Sequence, residues 1–168
     1  VFHCPVDVHG PWSDTHVADS QSAIERTFQT LFPALSGAAS IAGFGDVAEG
    51  LAFCPVQLGI DAELAGYTRK ALEPIPMDDD RMAVEAIRRV GFNDDFSTDE
   101  TTIRYLRTDY YQPAIMNRMG RDDWQRAGSK DINARARERI RGLMASHRPE
   151  PLAAGLAKEL QALVKSAG

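Results

Sequence analysis

Apolar positions in the first 54 residues alternate between strand-like runs and helical spacing. The apolar, β-branched stretch 1–8 predicts a strand. A helix follows, which Asp19 or Ser20 can cap, and its single apolar stripe consists of Ile24, Phe28, Leu31 and Leu35. Residues 38–45 are small, apolar and interrupted by glycine, as in a buried strand that leads into a tight loop. This order predicts a βαβ unit with parallel strands and a right-handed crossover.

From residue 55 onward the apolar spacing is helical. Ser97 with Glu100 has the pattern of a capping box, and Ser129 can cap a later, longer helix. The successive apolar stripes are Val56, Ile60, Leu64 and Tyr67; Ala83, Ile87 and Val90; Ile132, Ala136, Ile140 and Leu143; and Leu152, Leu156, Leu160 and Leu163. We therefore predict an α/β fold in two parts, a strand–helix–strand unit at 1–54 and a helical extension at 55–168, with more helix than strand overall.

Composition and charge are those of an ordinary globular chain with room for one core. The 168 residues are 43% hydrophobic and 26% charged, and the formal net charge is −5. No apolar run reaches the roughly 18 residues that span a membrane, and no basic-then-apolar leader precedes the first strand, so we expect a cytoplasmic protein without a membrane partner. The acidic balance argues against nucleic acid, and the basic stretch 135–141 is interpreted as a solvated helix face. The spacing of Cys4 and Cys54 fits neither a zinc nor a redox motif, so both are expected to be reduced.

Polar loops follow both predicted strands, at the edge where parallel α/β proteins bind ligands. An indole with carboxylates nearby suits a methylated ammonium, because a cation over the face of a tryptophan gains about 0.5–2 kcal/mol without a hydrogen-bond donor. Packing, or a role as a lid, is the alternative for Trp12. The candidate substrate-binding residues are His9, Trp12, Asp14 and His16 in the first loop and Phe44 and Asp46 in the second.

Other chemistries are open to the same region. A zinc site would draw on His3, Cys4, His9 and His16. Strand alternation sends His3 and Cys4 to opposite faces, and the spacing matches no compact metal template, so we expect no metal. Cys4 is also a weak candidate for a nucleophile, since a cysteine early in a strand is usually buried and inert. The stretch 43–50 lacks the lysine and hydroxyl residue of a phosphate loop.

Several distinctive segments are spread between residues 9 and 151. They are GPWSD (10–14), TLFPALSGAASIAGFG (30–45), VQLGID (56–61), PAIMNR (113–118) and DWQRAGSKD (123–131). Together they resemble the trimethylamine methyltransferase family of corrinoid-dependent enzymes. The resemblance implies a (β/α)₈ TIM-type barrel, of which this chain would supply the C-terminal part. It also implies transfer of a methyl group from an amine to the cobalt(I) of a corrinoid carried by a partner protein, with no cofactor bound tightly by this chain.

The resemblance gives Trp12 a specific position. Family members that use trimethylamine carry a pyrrolysine two residues after the first-loop glycine, and the GPWSD segment has Trp12 there. A methyl group on a tertiary amine is transferred poorly unless the nitrogen is protonated or otherwise made cationic, a task that a reactive imine can serve. A quaternary ammonium is already cationic and leaves as a neutral amine when it loses a methyl group. The resemblance therefore implies a non-pyrrolysine member that uses a quaternary amine such as glycine betaine. Asp14 and Asp46 would set the field around the cation, and His9 or His16 could bind a substrate carboxylate.

Chain length limits what these residues can form alone. A closed (β/α)₈ barrel takes about 250 residues, and the predicted strands are too few to close one. The chain also starts without Met inside a predicted strand. We therefore expect part of a longer polypeptide, or a chain that forms an oligomer with itself or pairs with another. Two functions stay open: a methyltransferase represented by its last βαβ unit and helical tail, or a catalytically silent helical assembly or interaction domain.

Overall fold

The computed structural model of the chain describes residues 4–92, 94–153 and 155–166. The described residues begin with a strand, a helix and a strand: β1 (Asp7–His9), α1 (Ser20–Leu35) and β2 (Ser40–Ala42). The two strands pair in parallel, with Val8 opposite Ile41. The strand–helix–strand order and the parallel pairing are therefore confirmed.

A small hairpin follows β2, where the sequence predicted a tight loop and no strands. Its strands, β3 (Asp46–Val47) and β4 (Ala52–Phe53), are antiparallel. The turn residues 48–50 all have positive φ angles, a conformation that favours glycine. The N–H of Ala48 donates to the carbonyl of Thr15 at 3.0 Å, so the hairpin is tied to the loop that follows β1.

The regular elements of the remaining described chain are all helices, as the apolar spacing predicted. Its helices are α2 (Pro55–Leu72), α3 (Asp79–Met82), α4 (Val84–Val90), α5 (Glu100–Tyr105), α6 (Arg121–Arg126), α7 (Ile132–Ser146) and α8 (Leu156–Ser166). Among the described residues, no helix has both the length and the apolar character required to cross a lipid bilayer.

Aspartates cap the three helices for which the sequence predicted a capping residue. Asp19 caps α1, as predicted, by accepting a backbone N–H from the first turn. Asp99 caps α5 and Asp131 caps α7 in the same way. The predictions of capping by Ser97 and Ser129 are therefore wrong. A carboxylate adjoining the first turn accepts its N–H groups and also carries a charge that the helix dipole favours.

Helix α1 buries polar residues and exposes most of its predicted apolar stripe, of which Leu31 is half-buried. Ser22, Arg26 and Thr30 are each 1% exposed. We call the opposite side, which is 52–60% exposed at these positions, the apolar face of α1: Ile24, Phe28, Phe32 and Leu35. The rings of Phe28 and Phe32 stack there, with centroids 5.3 Å apart. Contiguous apolar surface of this kind is typical of a face that packs against another structure.

The parallel strands are also more exposed than predicted. Ser40 and Ala42 of β2 are exposed, and Ile41 is half-buried. A parallel strand becomes fully buried when strands flank it on both sides and helices cover both faces. In the described chain β1 and β2 form a sheet of two strands. The prediction of a buried β2 is therefore wrong for this chain.

Helix α2 packs against both α1 and α7. Small residues allow the approach of α7: a Cβ at Gly59 would lie 3.2 Å from Cγ1 of Ile140, and Ala136 is fully buried beside it. The predicted apolar stripe of α2 is only half-buried. Its most buried side chains are polar: Gln57, Asp61, Glu63 and Thr68. Helix α2 therefore contributes polar contacts to the interior.

Glu63 of α2 holds the irregular segment that precedes α6. Its Oε1 accepts the backbone N–H groups of Ala114 at 2.8 Å and Ile115 at 3.0 Å, and its Oε2 accepts the hydroxyl of Tyr111 at 3.2 Å. Glu63 is 4% exposed. Hydrogen bonds to an ionised acceptor in such a setting are stronger than those between neutral groups. One carboxylate therefore satisfies backbone donors that belong to no helix or strand.

The 168-residue chain, expressed by itself, is expected to self-associate. The apolar face of α1 and the edges of the two-stranded parallel sheet favour contact with further structure. Light scattering after size-exclusion chromatography should therefore give a mass above that of one chain. A monodisperse species of 18.5 kDa would contradict this expectation.

Candidate functional site

Loops leave the carboxyl ends of β1 and β2 on the same side of the sheet, because the two strands are parallel. We call residues 10–18 the first loop and residues 43–53, which include the hairpin, the second loop. The N–H of Gly10 donates to the carbonyl of Ala42 at 2.8 Å, so strand pairing continues up to the point where the loops diverge. Ligands of α/β proteins bind at this edge.

Most of the candidate residues meet around His9. Its Nε2 lies 3.5 Å from Oδ2 of Asp46, and its ring contacts the ring of Trp12 edge-on, with centroids 5.1 Å apart. The indole N–H of Trp12 donates to Oδ1 of Asp14 at 3.1 Å. Trp12 and Asp46 are half-buried, whereas His9 and Asp14 are exposed. We call these four residues the indole cluster; it joins an indole, an imidazole and two carboxylates from β1 and both loops.

Glycines of the second loop make room for the two rings. A Cβ at Gly43 would lie 2.7 Å from Nε2 of His9, and one at Gly50 would lie 3.3 Å from Cη2 of Trp12. Both glycines have positive φ angles, 94° and 78°. Close approach and backbone conformation therefore both favour glycine, and the second-loop backbone packs directly on the indole cluster.

His16 and Phe44 are placed differently from the other candidates. His16 is exposed and Phe44 is half-buried. Within the described residues, neither shares a hydrogen bond, ion pair or ring contact with the indole cluster. Their roles in substrate binding stay predictions that the geometry does not support directly.

A buried ion pair that the sequence did not predict lies beneath the loops. Nη1 of Arg26 is 2.8 Å from Oδ2 of Asp61, and both side chains are 1% exposed. Nε of Arg26 donates to Oγ of Ser22 at 2.9 Å, and Nε2 of Gln57 donates to Oδ1 of Asp61 at 2.7 Å. Burial raises the pKa of Asp61, while hydrogen bonds from Gly45 and Gln57 and the charge of Arg26 act in the opposite direction. We call these four side chains, Ser22, Arg26, Gln57 and Asp61, the buried network.

The buried network holds the backbone of both loops. Arg26 donates through Nη1 to the carbonyl of Pro11 at 2.7 Å and through Nη2 to the carbonyl of Asp46. Oδ2 of Asp61 accepts the N–H of Gly45 at 2.8 Å. The residues bound in this way adjoin Trp12 in the first loop and include Asp46 in the second. The network therefore connects the two halves of the indole cluster from below.

One signal in the sequence could have indicated the buried network. Ser22 and Arg26 on α1, and Gln57 and Asp61 on α2, each have the i, i+4 spacing that places two side chains on one side of a helix. Polar residues with this spacing ordinarily face water, so the pattern alone did not distinguish a buried pair from an exposed one.

The zinc alternative finds no support in the part of the chain that the structure describes. There, no three His, Cys, Asp or Glu residues are grouped so that they could hold a metal ion. His3 lies outside the described residues. Cys4 is exposed, contrary to the expectation of a buried cysteine, and His9 contacts Trp12 and Asp46.

A cleft of about 530 Å³ lies elsewhere, between the end of α2 and α5. Its lining includes Lys70, Arg81 and Tyr105, and none of its lining residues belongs to the loops that form the indole cluster. Arg81 lies over the ring of Tyr105 at 4.2 Å and donates to Asp109 at 2.8 Å. Lys70 donates to Glu73 at 2.6 Å. Carboxylates of the chain thus already engage these cationic groups.

The indole cluster has the chemistry of a cation-binding surface. The N–H of Trp12 is used by Asp14, so the indole offers a ligand its π surface rather than a donor. The hydrogen bond to Asp14 also polarises the indole, and this strengthens the attraction of the ring for a cation. Asp46 and Asp14 add negative charge near the ring. The cluster therefore offers a cationic group a π surface with carboxylates beside it.

Parallel strands joined by a helix, with polar loops at their carboxyl edge, place the chain in the α/β class. In that class, ligands commonly bind at the strand ends. The sequence profile of the family described as trimethylamine methyltransferase (MTTB) matches residues 2–167. The chain therefore belongs to the trimethylamine methyltransferase family, as the quoted segments predicted.

Relatives in this family are considerably longer. Trimethylamine methyltransferase MttB of Methanosarcina barkeri is 37% identical over 167 residues, which are 99% of this chain and 33% of that protein. MttB of Desulfitobacterium hafniense is 32% identical, covering 98% of this chain and 33% of that protein. A glycine betaine methyltransferase of Desulfitobacterium hafniense is 23% identical over 95% of this chain and 33% of that protein. The chain thus spans about a third of the length of the curated relatives it matches.

Proposed function

We propose that the protein represented by this chain transfers a methyl group from a quaternary amine to the cobalt of a corrinoid carried by a separate protein. The observation that carries the proposal is the indole cluster, in which Trp12 lies between the carboxylate that holds its N–H and the imidazole that contacts Asp46. Methyl transfer is supported by family membership, since the relatives are named methyltransferases.

The quaternary substrate rests on the side chain at position 12. A quaternary ammonium carries its charge at any pH and has no N–H, so an indole face and nearby carboxylates can bind it without hydrogen bonds. The methyl group can leave because the remaining amine is neutral. No electrophilic residue is required to make the nitrogen cationic, and Trp12 is not an electrophile. The relative named for glycine betaine provides an example of such a substrate within the matched proteins.

In this proposal the residues of the chain bind and orient the substrate. The corrinoid supplies the nucleophile that accepts the methyl group. Trp12 and the carboxylates of Asp14 and Asp46 would hold the ammonium with one methyl group directed away from the cluster, and closure over the site would exclude water. His9 would bind a substrate carboxylate, where one is present, while remaining in contact with Asp46. The chain itself supplies no cobalt ligand in this scheme.

The rest of the barrel would complete the site. We propose that further strands pair with the edges of β1 and β2, and that a neighbouring helix covers the apolar face of α1. The exposure of that face and the greater length of the relatives support this arrangement. It would give a (β/α)₈ barrel with the loops of this chain at its carboxyl end. The catalytic inactivity of the 168-residue chain and its cytoplasmic location stay predictions.

Trimethylamine is the second candidate substrate. It is favoured by the relatives with higher identity, which are named trimethylamine methyltransferases. A catalytically silent assembly domain is the alternative from another class, and the exposed apolar surface would suit it equally well. Measurement of substrate binding separates these possibilities. A quaternary-amine enzyme should bind a permanently charged amine, a trimethylamine enzyme should bind trimethylamine more tightly, and an assembly domain should bind neither.

A shape-matched pair of ligands, of which only one carries a cationic nitrogen, tests the proposal. Glycine betaine and 3,3-dimethylbutanoate have the same shape and carboxylate, but the second has carbon in place of the cationic nitrogen. Calorimetry on the full-length protein should show that glycine betaine binds about 2- to 30-fold more tightly, the range expected for a cation over an indole. Equal affinities would contradict the proposed cation site, and tighter binding of trimethylamine would favour the second candidate.

A further inference from the structure

We propose that the buried Arg26–Asp61 pair is a positioning device that sets the indole of Trp12 relative to the carboxylate of Asp46. The expected effect of the pair on substrate affinity rests on the proposed function. The effect of the pair on the geometry of the two loops is independent of that function, since it depends only on contacts within the chain.

The contacts of the pair are directed at the loop backbones. Nη1 of Arg26 reaches the carbonyl of Pro11, which immediately precedes Trp12, and Nη2 reaches the carbonyl of Asp46. The two loops are thus attached to one planar group. Asp61 accepts the N–H of Gly45 on the other side, at 2.8 Å, so both partners of the ion pair hold the second loop.

A second contact from α1 fixes the same part of the first loop. The backbone N–H of Trp12 donates to Oε1 of Gln29 at 3.0 Å. Together, Arg26 and Gln29 bind the carbonyl before Trp12 and the N–H of Trp12 itself. The backbone at the root of the indole is therefore restrained on both sides of one peptide bond.

Energetics favour positioning over stability as the role of this pair. Burying two charges carries a large desolvation cost, and replacing a buried ion pair with apolar residues of similar volume is often neutral or stabilising. Arg26 and Asp61 are each at most 1% exposed, so this cost applies in full. A pair that were needed only for packing could be replaced by apolar side chains without consequence for the loops.

The planar geometry of arginine matters as much as its charge. Arg26 donates through Nε to Ser22 and through both terminal nitrogens to groups on different loops. A lysine in its place would keep the charge beside Asp61 but has a single nitrogen, which cannot reach both carbonyls in this fork arrangement. Arg26→Lys is therefore expected to retain the ion pair and to release at least one loop.

Fluorine NMR on the full-length protein labelled with 5-fluorotryptophan tests the inference. The resonance that disappears in a Trp12→Phe variant belongs to Trp12. We expect that resonance to shift or broaden in Arg26→Lys and in the double variant Arg26→Met/Asp61→Leu, while circular dichroism shows both to be folded. Arg104→Lys is the matched control: it alters an exposed ion pair with Asp80 and should leave the resonance unchanged.

Binding supplies the second readout. Both pair variants are expected to bind glycine betaine about 2- to 30-fold more weakly than the parent, because the cation contact with Trp12 is lost in part or in full. A Trp12 resonance that is unchanged in the folded variants would overturn the inference, as would loss of folding in the double variant, since the pair would then be a stability element. A shifted resonance in the variants, together with a parent protein that binds neither glycine betaine nor any other quaternary amine, would uphold the positioning role and reject the proposed function.

Discussion

Replacing Trp12 with leucine in the full-length protein is expected to weaken the binding of a quaternary ammonium about 2- to 30-fold, the equivalent of 0.5–2 kcal/mol. Leucine removes the π surface, whereas phenylalanine keeps a smaller one and should retain part of the affinity. Calorimetric titration of each variant with glycine betaine measures the effect. Denaturant titration of the same variants separates a loss of affinity from a loss of stability, which is about 1–3 kcal/mol for a buried aromatic that only packs.

The second tryptophan of this chain provides the control. Trp124 donates its indole N–H to the carbonyl of Lys130 at 3.0 Å and lies outside both loops. Trp124→Phe is therefore expected to leave glycine betaine affinity unchanged. Equal affinities for tryptophan, phenylalanine and leucine at position 12, with stability alone altered, would return Trp12 to a packing role and leave the substrate unassigned.

Replacing Glu63 with leucine is expected to destabilise the segment 111–118 by about 1–3 kcal/mol. The N–H groups of Ala114 and Ile115 would lose their acceptor; Ile115 is buried, and a backbone donor left buried without a partner has this cost, whereas Ala114 is exposed and its N–H can bind water. Glu63→Gln keeps one oxygen acceptor and should cost less. Hydrogen exchange of this segment in the full-length protein, followed by mass spectrometry, measures the loss of protection.

Glu73 offers a matched comparison at the end of the same helix. It pairs with Lys70 but is exposed, and exposed substitutions usually change stability by no more than about 0.5 kcal/mol. Glu73→Gln should therefore leave exchange in segment 111–118 as it is in the parent. If Glu63→Leu behaved like Glu73→Gln, the buried carboxylate could not be what holds the segment.

Local patterns predicted the elements of the strand–helix–strand unit well, because the spacing of its apolar residues changes clearly between strand and helix. The stripe from Ile24 to Leu35 and the carboxylate of Asp19 defined α1, and the glycine-bounded stretch before Phe44 defined β2. Periodicity identifies the apolar side of a helix but does not say whether the same chain covers that side. The burial of Arg26 in place of Phe28 therefore could not be predicted from the spacing.

The sequence predicted the residues at the surface of the candidate site but not the buried residues that support them. Position at the carboxyl ends of parallel strands brought His9, Trp12 and Asp46 together, as topology requires. The support beneath them comes from Arg26 and Asp61, which are 35 residues apart in the chain. Contacts of this kind depend on how two helices pack, and neither local spacing nor composition contains that information.

Methyl transfer by the full-length protein tests the central claim most directly. The protein is mixed with a cobalt(I) corrinoid and, separately, with glycine betaine, other quaternary amines and trimethylamine, and the loss of the cobalt(I) spectrum is followed. We predict methyl transfer from a quaternary amine, little or none from trimethylamine, and a reduced rate with Trp12→Leu at low substrate concentration. Turnover of trimethylamine without turnover of any quaternary amine, or no transfer from any of these amines, would contradict the proposed role of Trp12 and its cluster.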